Sequence, residues 1–400
     1  MDKIYDVIII GTGPAGITAA NLLAKKGWET LIVHQSPQQK LQLPETFSGI
    51  SRDLLTRLDI EQEINKAIAT PKPIHLVSAS DNFIYHIGIE PNKATSSHYG
   101  MSLNREILER ILLERAIGRG ATYLPTTVVK DFIFVDNQVT GIKCHTPQGN
   151  IEYSAKVVID ARGKETPLLN HFKVNSKDKN LEHHIAVFCE FTGASFTEII
   201  PNNSMLGVTL DQGYILAMPI ANNRVSIMAV LEGENFSNNC RNWEKKFQEA
   251  VENWQPLAQA IQTAKKLTPI LPITNHNWEC ERFSGKGFLV VGDSVAFLDP
   301  FSCNGIAIGM NSGEIAADFL TQKLTQSHGC WEAENLSIYD QQIRDLINKW
   351  KRVWGIENLS LSSMDLLKQS LKLLNQLQFL KLGALNENWS QNMIILASGS

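Results

Sequence analysis

The chain of 400 residues is long enough to bury a large core and to form two domains. Hydrophobic residues make up 43% and charged residues 20%, as in ordinary folded proteins, and the net charge of −4 argues against a nucleic-acid partner. The six cysteines form no C-x-x-C pair, which argues against a zinc knuckle or a disulfide framework. We find neither a secretory signal nor a run of the ~20 apolar residues that span a bilayer, and therefore expect a soluble, cytoplasmic protein.

The first motif is an apolar strand over residues 6–10 that leads into a G-x-G-x-x-G sequence and a predicted helix over residues 14–26. Gly11 allows a tight turn, Gly13 lets the backbone approach a phosphate, and Gly16 lets the helix pack close to the strand. Pro14 and Ala15 begin the helix, whose N-terminal N–H groups favour an anion. With a second strand at Thr30–Val33, the pattern predicts a dinucleotide site; the alternative is a tight structural turn.

The remaining elements predict a nucleotide domain that is interrupted by a second domain. An amphipathic helix is predicted over residues 103–119, followed by three strands over 128–159. Further strands at 213–219 and 224–231 and a helix over 243–264 precede a buried strand that ends in Gly292-Asp293. We therefore predict a nucleotide domain of residues 1–70, 101–170 and 284–325, an antiparallel β domain of residues 71–100 and 171–283, and C-terminal helices over 330–400.

Three segments together resemble the FAD-dependent oxidoreductases built like p-hydroxybenzoate hydroxylase. They are the glycine motif at residues 11–16, the sequence Asp-Ala-Arg-Gly at 160–163, and Gly-Asp at 292–293 with Asp-Pro-Phe-Ser-Cys-Asn-Gly-Ile at 299–306. Residues 292–300, 312–317 and 213–219 are most similar to the geranylgeranyl reductase and flavin-dependent halogenase branches, and residues 43–46 loosely resemble a loop of those branches. The resemblance implies a Rossmann-like α/β domain that binds FAD, with an inserted, mostly antiparallel substrate domain.

The resemblance also assigns residues to the cofactor. Asp293 would accept a hydrogen bond from a ribityl hydroxyl, with Gly292 leaving room for the cofactor. The turn from Pro300 to Gly305 would precede a helix from Ile306, whose N-terminus faces the flavin ring. It further implies FAD contacts from Arg105, Val129, Asp160, Gly163 and the position of His34.

Several of these positions have alternatives. Asp160 would otherwise cap its turn, Arg105 would be a solvated helix-start residue, and the Gly292–Gly305 segment would be packing without a ligand. His34 replaces the acidic residue that usually binds the adenosine ribose, so the FAD site is weakened or accepts an NADP-like ligand. Cys303 is either a reactive thiol at the flavin or a small buried filler.

Two other features of the sequence are not expected to take part in cofactor binding or catalysis. The pair His183-His184 begins a strand and is not expected to bind a metal, and we predict no metal site. The apolar face of a helix around residues 366–380 is expected to pack at the domain interface, the alternative being a membrane or a partner.

We expect a monooxygenase or dehydrogenase that acts on an apolar or aromatic organic substrate, with NAD(P)H docking transiently as electron donor. The alternatives are a prenyl (alkene) reductase, a halogenase, or a non-catalytic nucleotide-binding protein. No tryptophan pair forms the W-x-W of tryptophan halogenases. The substrate class rests on five residues that suit a core equally well: Phe188, Phe191, Tyr214, Met218 and Met228. The sequence singles out no catalytic side chain.

Overall fold

A computed structural model gives the fold of the chain. It describes residues 3–35, 46–47, 50–64, 68–71, 74–78, 84–87, 101–163, 166–168, 184–193, 195–200, 205–211, 213–220, 224–232, 242–273, 278–298, 305–325 and 331–353. The predictions for residues 43–45, 299–304 and 354–400 therefore lie outside the described residues, as does His183.

The strands are numbered along the chain. They are β1 Ile4–Ile10, β2 Thr30–Val33, β3 Thr46–Phe47, β4 Ile68–Pro71, β5 Ile74–Ser78, β6 Ile84–Ile87, β7 Met101–Leu103, β8 Thr122–Leu124, β9 Val128–Val135, β10 Gln138–Thr146, β11 Gly149–Asp160, β12 His184–Thr192, β13 Met205–Leu210, β14 Gly213–Ile220, β15 Arg224–Glu232, β16 Lys265–Lys266, β17 Leu271–Ile273, β18 Trp278–Glu279, β19 Ser284–Gly285, β20 Phe288–Val290 and β21 Ala296–Phe297. The helices are α1 Pro14–Lys25, α2 Arg52–Leu58, α3 Arg105–Gly118, α4 Phe196–Ile199, α5 Trp243–Glu252, α6 Gln255–Thr263, α7 Gly305–Lys323 and α8 Ala333–Val353.

The first sheet is the nucleotide-type sheet, with strands in the order β19-β20-β11-β1-β2-β8. Strands β20, β11, β1, β2 and β8 run parallel, and β9 and β10 extend β11 as an antiparallel meander. Central parallel strands are covered on both faces, which explains why β1 is apolar along almost its whole length and why Val7, Ile8 and Ile9 are fully buried. The predicted Rossmann-like α/β class is confirmed.

The second sheet has the order β16-β12-β15-β14-β13-β5-β6, and all its pairings are antiparallel except that of β5 with β13. One face carries the odd-numbered residues of β12, β14 and β15 and packs with residues of α4, α5 and α6. The even-numbered residues alternate to the opposite face, which has its own buried cluster: Ala186, Phe188, Tyr214, Leu216, Met228 and Val230. We call this the even face.

One helix prediction is wrong in detail. The single helix expected over residues 243–264 is two helices, α5 and α6, which are separated at Asn253 and Trp254. Pro256 lies in the first turn of α6, where its missing N–H costs nothing, whereas inside a continuous helix it would remove a backbone hydrogen bond.

Helix α8, the last element that the structure describes, is fixed against the first sheet. The buried Tyr339 hydroxyl donates to the Val290 carbonyl of β20 over 2.9 Å, and the Ser284 hydroxyl donates to Asp340 over 2.7 Å. A Lys351–Glu279 ion pair joins the far end of the helix to β18. Among the described residues, no helix has the length and apolar composition needed to cross a membrane.

Candidate cofactor site

The glycines of the first motif are required by close backbone contacts. Gly11 has a φ of 110°, and a Cβ there would lie 2.8 Å from the Ala161 carbonyl oxygen. A Cβ at Gly16 would lie 2.5 Å from the Gly11 carbonyl oxygen. These two glycines therefore bring the β1–α1 turn against the turn that follows β11.

Gly13 has a different environment. It is the N-cap of α1 with a φ of −69° and no side-chain cap hydrogen bond, and Pro14 follows it as the first helical residue. The closest neighbour of a Cβ at Gly13 would be the guanidinium of Arg105, at 3.6 Å. An uncapped helix N-terminus beside an arginine is a favourable place for a phosphate. Arg105 begins α3, and its Nε also donates to Glu109 over 2.6 Å.

The second motif forms a tight turn after β11. Asp160 is fully buried, and its carboxylate accepts hydrogen bonds from the Arg162 backbone N–H, the Arg162 guanidinium and the Thr166 hydroxyl. The Asp160 side chain thus has the turn-capping role that the sequence left as the alternative. Gly163 has a φ of 89°, and its Cβ position lies 3.6 Å from the Cβ of Asp293.

The third motif meets the other two. Gly292 has a φ of 68°, and a Cβ there would lie 2.8 Å from the Ala15 Cβ. The Ser294 hydroxyl accepts from the Gly163 N–H and donates to the Gly163 carbonyl, both over 2.9 Å. Asp293, between them, is exposed. The three motifs are separated by 144 residues from Gly16 to Asp160 and by 129 residues from Gly163 to Gly292. They nevertheless form one continuous surface at the carboxyl ends of β1, β11 and β20.

Helix α7 is held against α1 by small residues. A Cβ at Gly313 would lie 2.3 Å from the Ala15 carbonyl oxygen, and Gly309 also faces Ala15. The Ser312 hydroxyl accepts from the Gly292 N–H over 2.9 Å. Gly305, the first residue of α7, is exposed, whereas Ile306 is buried. Pro300 lies outside the described residues.

The end of β2 joins the same region. The His34 Nδ1 atom lies 2.9 Å from the Thr12 hydroxyl, which belongs to the glycine turn. The Thr127 N–H donates to the His34 carbonyl over 2.8 Å, which brings the start of β9 and Val129 close to His34.

Several side chains of this region were missed by sequence reasoning. Ser294 joins the second and third motifs, Thr12 joins the first motif to His34, and Ser312 joins the third motif to α7. Nothing in a single sequence distinguishes these side chains from other small polar residues. The Gly309–Gly313 spacing in a predicted helix was a usable signal, because glycines four residues apart share one face and permit close helix packing.

The described part of the chain contains no cluster of three His, Cys, Asp or Glu side chains that could hold a metal. Burial raises the pKa of Cys144 and of Cys280 to about 11, so both thiols are protonated and unreactive at neutral pH. Cys303 lies outside the described residues.

Comparisons with known proteins agree with this geometry. The sequence matches the family described as FAD binding domain over residues 4–346. It is 22% identical over 380 residues to 1H-pyrrole-2-carbonyl-(peptidyl-carrier protein) chlorinase of Pseudomonas fluorescens, covering 87% of this chain and 82% of that protein. It is 23% identical over 351 residues to digeranylgeranylglycerophospholipid reductase of Methanosarcina acetivorans, covering 86% of this chain and 82% of that protein.

Among solved structures, the fold is similar to that of the flavin-dependent brominase Bmp2. The TM-score is 0.75 at 18% sequence identity, and the match covers 99% of this chain and 100% of the brominase. The family match spans most of the chain, including all three motifs that meet at the carboxyl edge of the parallel sheet. The chain therefore belongs to the FAD binding domain family of flavin-dependent enzymes.

Proposed function

We propose that this protein is an FAD-dependent monooxygenase or dehydrogenase that acts on an apolar or aromatic organic substrate. The observation that carries the proposal is the meeting of the β1–α1 turn, the Asp160–Gly163 turn and the Gly292–Ser294 turn at one edge of the parallel sheet. Because these turns contact one another, one bound dinucleotide could touch all three of them.

The residues present fit FAD. The pyrophosphate would lie over Gly13 at the N-terminus of α1, with the Arg105 guanidinium beside it. His34 would face the adenosine ribose, with Val129 near the adenine and the Thr12 hydroxyl orienting the His34 ring. The exposed Asp293 would accept from the ribityl chain, and Gly163 and Gly292 would leave room beside it. In this arrangement the buried Asp160 acts through the shape of its turn, because its carboxylate is already bound by Arg162 and Thr166.

The other end of the cofactor would meet the N-terminus of α7. This helix has 19 residues, and its first residue, Gly305, is exposed. A helix N-terminus favours negative charge in front of it, as develops on a flavin ring during reduction. When bound, FAD supplies the two-electron redox chemistry, and the protein supplies orientation and a dry environment.

The even face of the second sheet supports an apolar or aromatic substrate. Phe188, Met228 and Leu216 lie side by side across β12, β15 and β14, and Tyr214 is in the next row. Phe191 does not belong to this group, because it faces α5 and stacks on Phe247 with ring centroids 6.1 Å apart. Four of the five predicted residues thus remain candidates for the substrate side.

The electron donor we propose is NADH or NADPH. The sequence has one G-x-G-x-x-G motif, which FAD would occupy, so the nicotinamide would dock transiently.

The first test is the absorbance spectrum of the purified protein and the identity of the ligand released on denaturation. The second is anaerobic reduction with NADH or NADPH, followed by isotopically labelled oxygen and a panel of aromatic compounds. Label in the product supports a monooxygenase. In a separate anaerobic sample that starts from oxidised flavin without NADH or NADPH, bleaching of the flavin by an aromatic compound supports a dehydrogenase, because the substrate then donates the two electrons. Protein that neither retains nor binds FAD would refute the proposal.

Halogenation and alkene reduction are second candidates, because the relatives include a chlorinase and a prenyl-lipid reductase. Addition of bromide with NADPH and oxygen would give a product with the bromine isotope pattern if the protein halogenates. Saturation of a prenyl alcohol under anaerobic conditions would support the reductase. The absence of a W-x-W sequence weighs against the tryptophan-halogenase type.

A further inference from the structure

The histidine at the end of β2 is joined to the turn that would hold the cofactor phosphates. The His34 Nδ1 atom lies 2.9 Å from the Thr12 hydroxyl, and Thr12 is 8% exposed. The His34 backbone is fixed as well, because its N–H donates to the Leu124 carbonyl over 3.1 Å and its carbonyl accepts from the Thr127 N–H. The imidazole is therefore held against the residue that directly precedes Gly13, the N-cap of α1.

The contact with Thr12 suits both protonation states of the ring. A threonine hydroxyl both donates and accepts hydrogen bonds, because its hydrogen rotates about the C–O bond. The hydroxyl donates to Nδ1 when His34 is neutral, and it accepts from the Nδ1–H when His34 is protonated. The Nε2 atom carries a hydrogen in both cases and remains a donor. A proton from the solvent can therefore be added to His34 without loss of this hydrogen bond.

The segments packed against His34 bring few charges to it. Residues 11–13 and 122–129 contain no charged side chain, and the first charged residue of β9, Lys130, is exposed. Burial raises the pKa of Tyr123 above its usual value, so this side chain stays neutral. The charged side chains that α3 and the second motif bring to the glycine turn form two ion pairs, Arg105 with Glu109 and Arg162 with Asp160. A pyrophosphate over Gly13 would therefore add negative charge that these neutral pairs do not already supply.

We propose that FAD binds with uptake of a proton by His34, so that the ring is a cation in the complex and its Nε2–H donates to the adenosine ribose. Negative charge placed close to an imidazole favours the protonated form of the ring. An acidic residue at this position would instead accept from the ribose and repel the pyrophosphate. This inference rests on the proposed function, since it takes FAD as the ligand, and it makes His34 the residue through which pH sets the affinity for the cofactor.

The first measurement is a calorimetric titration of the full-chain apoprotein with FAD near pH 7, in PIPES, HEPES and Tris buffers. Because a proton taken up by the protein is released by the buffer, the observed heat should follow the ionisation enthalpy of the buffer. We expect an uptake of roughly half a proton per FAD, since a free imidazole titrates at about pH 6.5 and a nearby anion moves that titration upward. Equal heats in the three buffers, or a release of protons, would overturn the inference.

The affinity should depend on pH in the same sense. A group that is protonated more readily in the complex than in the free protein strengthens binding at low pH, and this contribution is lost as the pH rises through the titration of the complex. The Kd for FAD, followed by flavin fluorescence, should be roughly 10-fold lower at pH 5.5 than at pH 8.5. A Kd that is independent of pH, or that is lower at pH 8.5, would contradict a cationic His34.

Variants connect the proton to this ring. His34→Gln keeps an N–H donor for the ribose but takes up no proton, so its binding heat should not depend on the buffer and its Kd should not change with pH. Thr12→Val removes the acceptor of the Nδ1–H and should reduce the uptake. His145→Gln is the matched control and should behave as the wild type, because His145 is exposed and contacts Asn150 across β10 and β11. Uptake that persists in His34→Gln would place the proton on another group and overturn the inference.

A merely structural role of His34 gives a different result. In that case His34→Gln would lower the melting temperature of the apoprotein, and the wild type would show no proton uptake. The binding of FAD itself separates the two proposals. Protein that binds no FAD at any of these pH values refutes the proposed function, whereas FAD binding without proton uptake refutes only this inference.

Discussion

Replacement of Gly13 by alanine should separate cofactor binding from folding. Gly13 has a φ of −69° and a ψ of 166°, which alanine adopts without strain, and the nearest atom to the new Cβ would be the Arg105 guanidinium at 3.6 Å. The stability of the apoprotein should therefore change by less than about 1 kcal/mol, since alanine also restricts the unfolded chain and so offsets any small loss of packing.

FAD binding should respond strongly to the same change. The new methyl group would occupy the place where the phosphate must approach the backbone. Loss of one hydrogen bond to a charged phosphate costs about 1.5–3 kcal/mol, which corresponds to a roughly 10- to 150-fold weaker Kd. Gly16→Ala is the contrasting variant, because its Cβ would meet the Gly11 carbonyl oxygen at 2.5 Å, and it should destabilise the apoprotein by about 1–3 kcal/mol.

The assay is a titration of apoprotein with FAD, followed by flavin fluorescence, together with urea unfolding of the same apoprotein. FAD binding by Gly13→Ala as tight as that of the wild type would refute a phosphate contact at Gly13. It would also be refuted if Gly13→Ala destabilised the apoprotein as much as Gly16→Ala, since the loop would then be shaped by protein contacts alone.

Three further predictions follow from the same geometry. Arg105→Gln should weaken FAD binding by roughly 10-fold or more, whereas Arg110→Gln, an exposed position on the same helix, should leave the Kd unchanged; equal effects would contradict a phosphate contact. Gly313→Ala should destabilise the protein in urea by about 2 kcal/mol or more, because its Cβ would overlap a backbone carbonyl of α1, whereas Gly309→Ala should be tolerated; similar midpoints would contradict the close packing of α1 and α7. Burial raises the pKa of the Glu314 carboxyl above its usual value of 4.5, despite the neighbouring Arg57 guanidinium. The stability that the protonated Glu314 carboxyl gives the folded state is therefore present at low pH and is lost as the pH rises through the raised pKa. Glu314→Gln should therefore become more stable relative to the wild type as the pH is raised above 4.5 in urea unfolding, and a difference independent of pH would contradict this assignment.

Local elements were predictable because their signals are local. Strand β2 has the predicted bounds, and α1 ends one residue before its predicted end. The sequence analysis missed the break between α5 and α6, because the spacing of apolar residues continues through it. Pro256 was the available signal, since proline is tolerated in the first turn of a helix but not in its interior.

For the parts of the site that depend on contacts between distant residues, the sequence identified the segments involved but not the contacts between them. The resemblance indicated that the three glycine-containing segments act together, and the structure adds the contacts through Ser294 and Ser312. The role of the Asp160 side chain depends on Thr166 and Arg162, and single-sequence reasoning could not choose between capping and ligand binding. The ion pair of Glu190 with Arg224 was not predictable, because it depends on the register of β12 and β15, which are separated by more than 30 residues in the chain.

The position of β20 has a consequence for biosynthesis. Strand β11 pairs on one side with β1 and on the other first with β10, over residues 149–154, and then with β20, over residues 158–160, so the parallel part of that edge is unpaired until Val290 has left the ribosome. The antiparallel hairpin of β14 and β15 involves only neighbouring segments and can form earlier. Until then the nascent chain exposes the open edge of an apolar parallel strand, which can pair with other chains. Truncated products that stop within the second sheet should therefore aggregate or be degraded, and full-length yield should depend on chaperones that protect that edge.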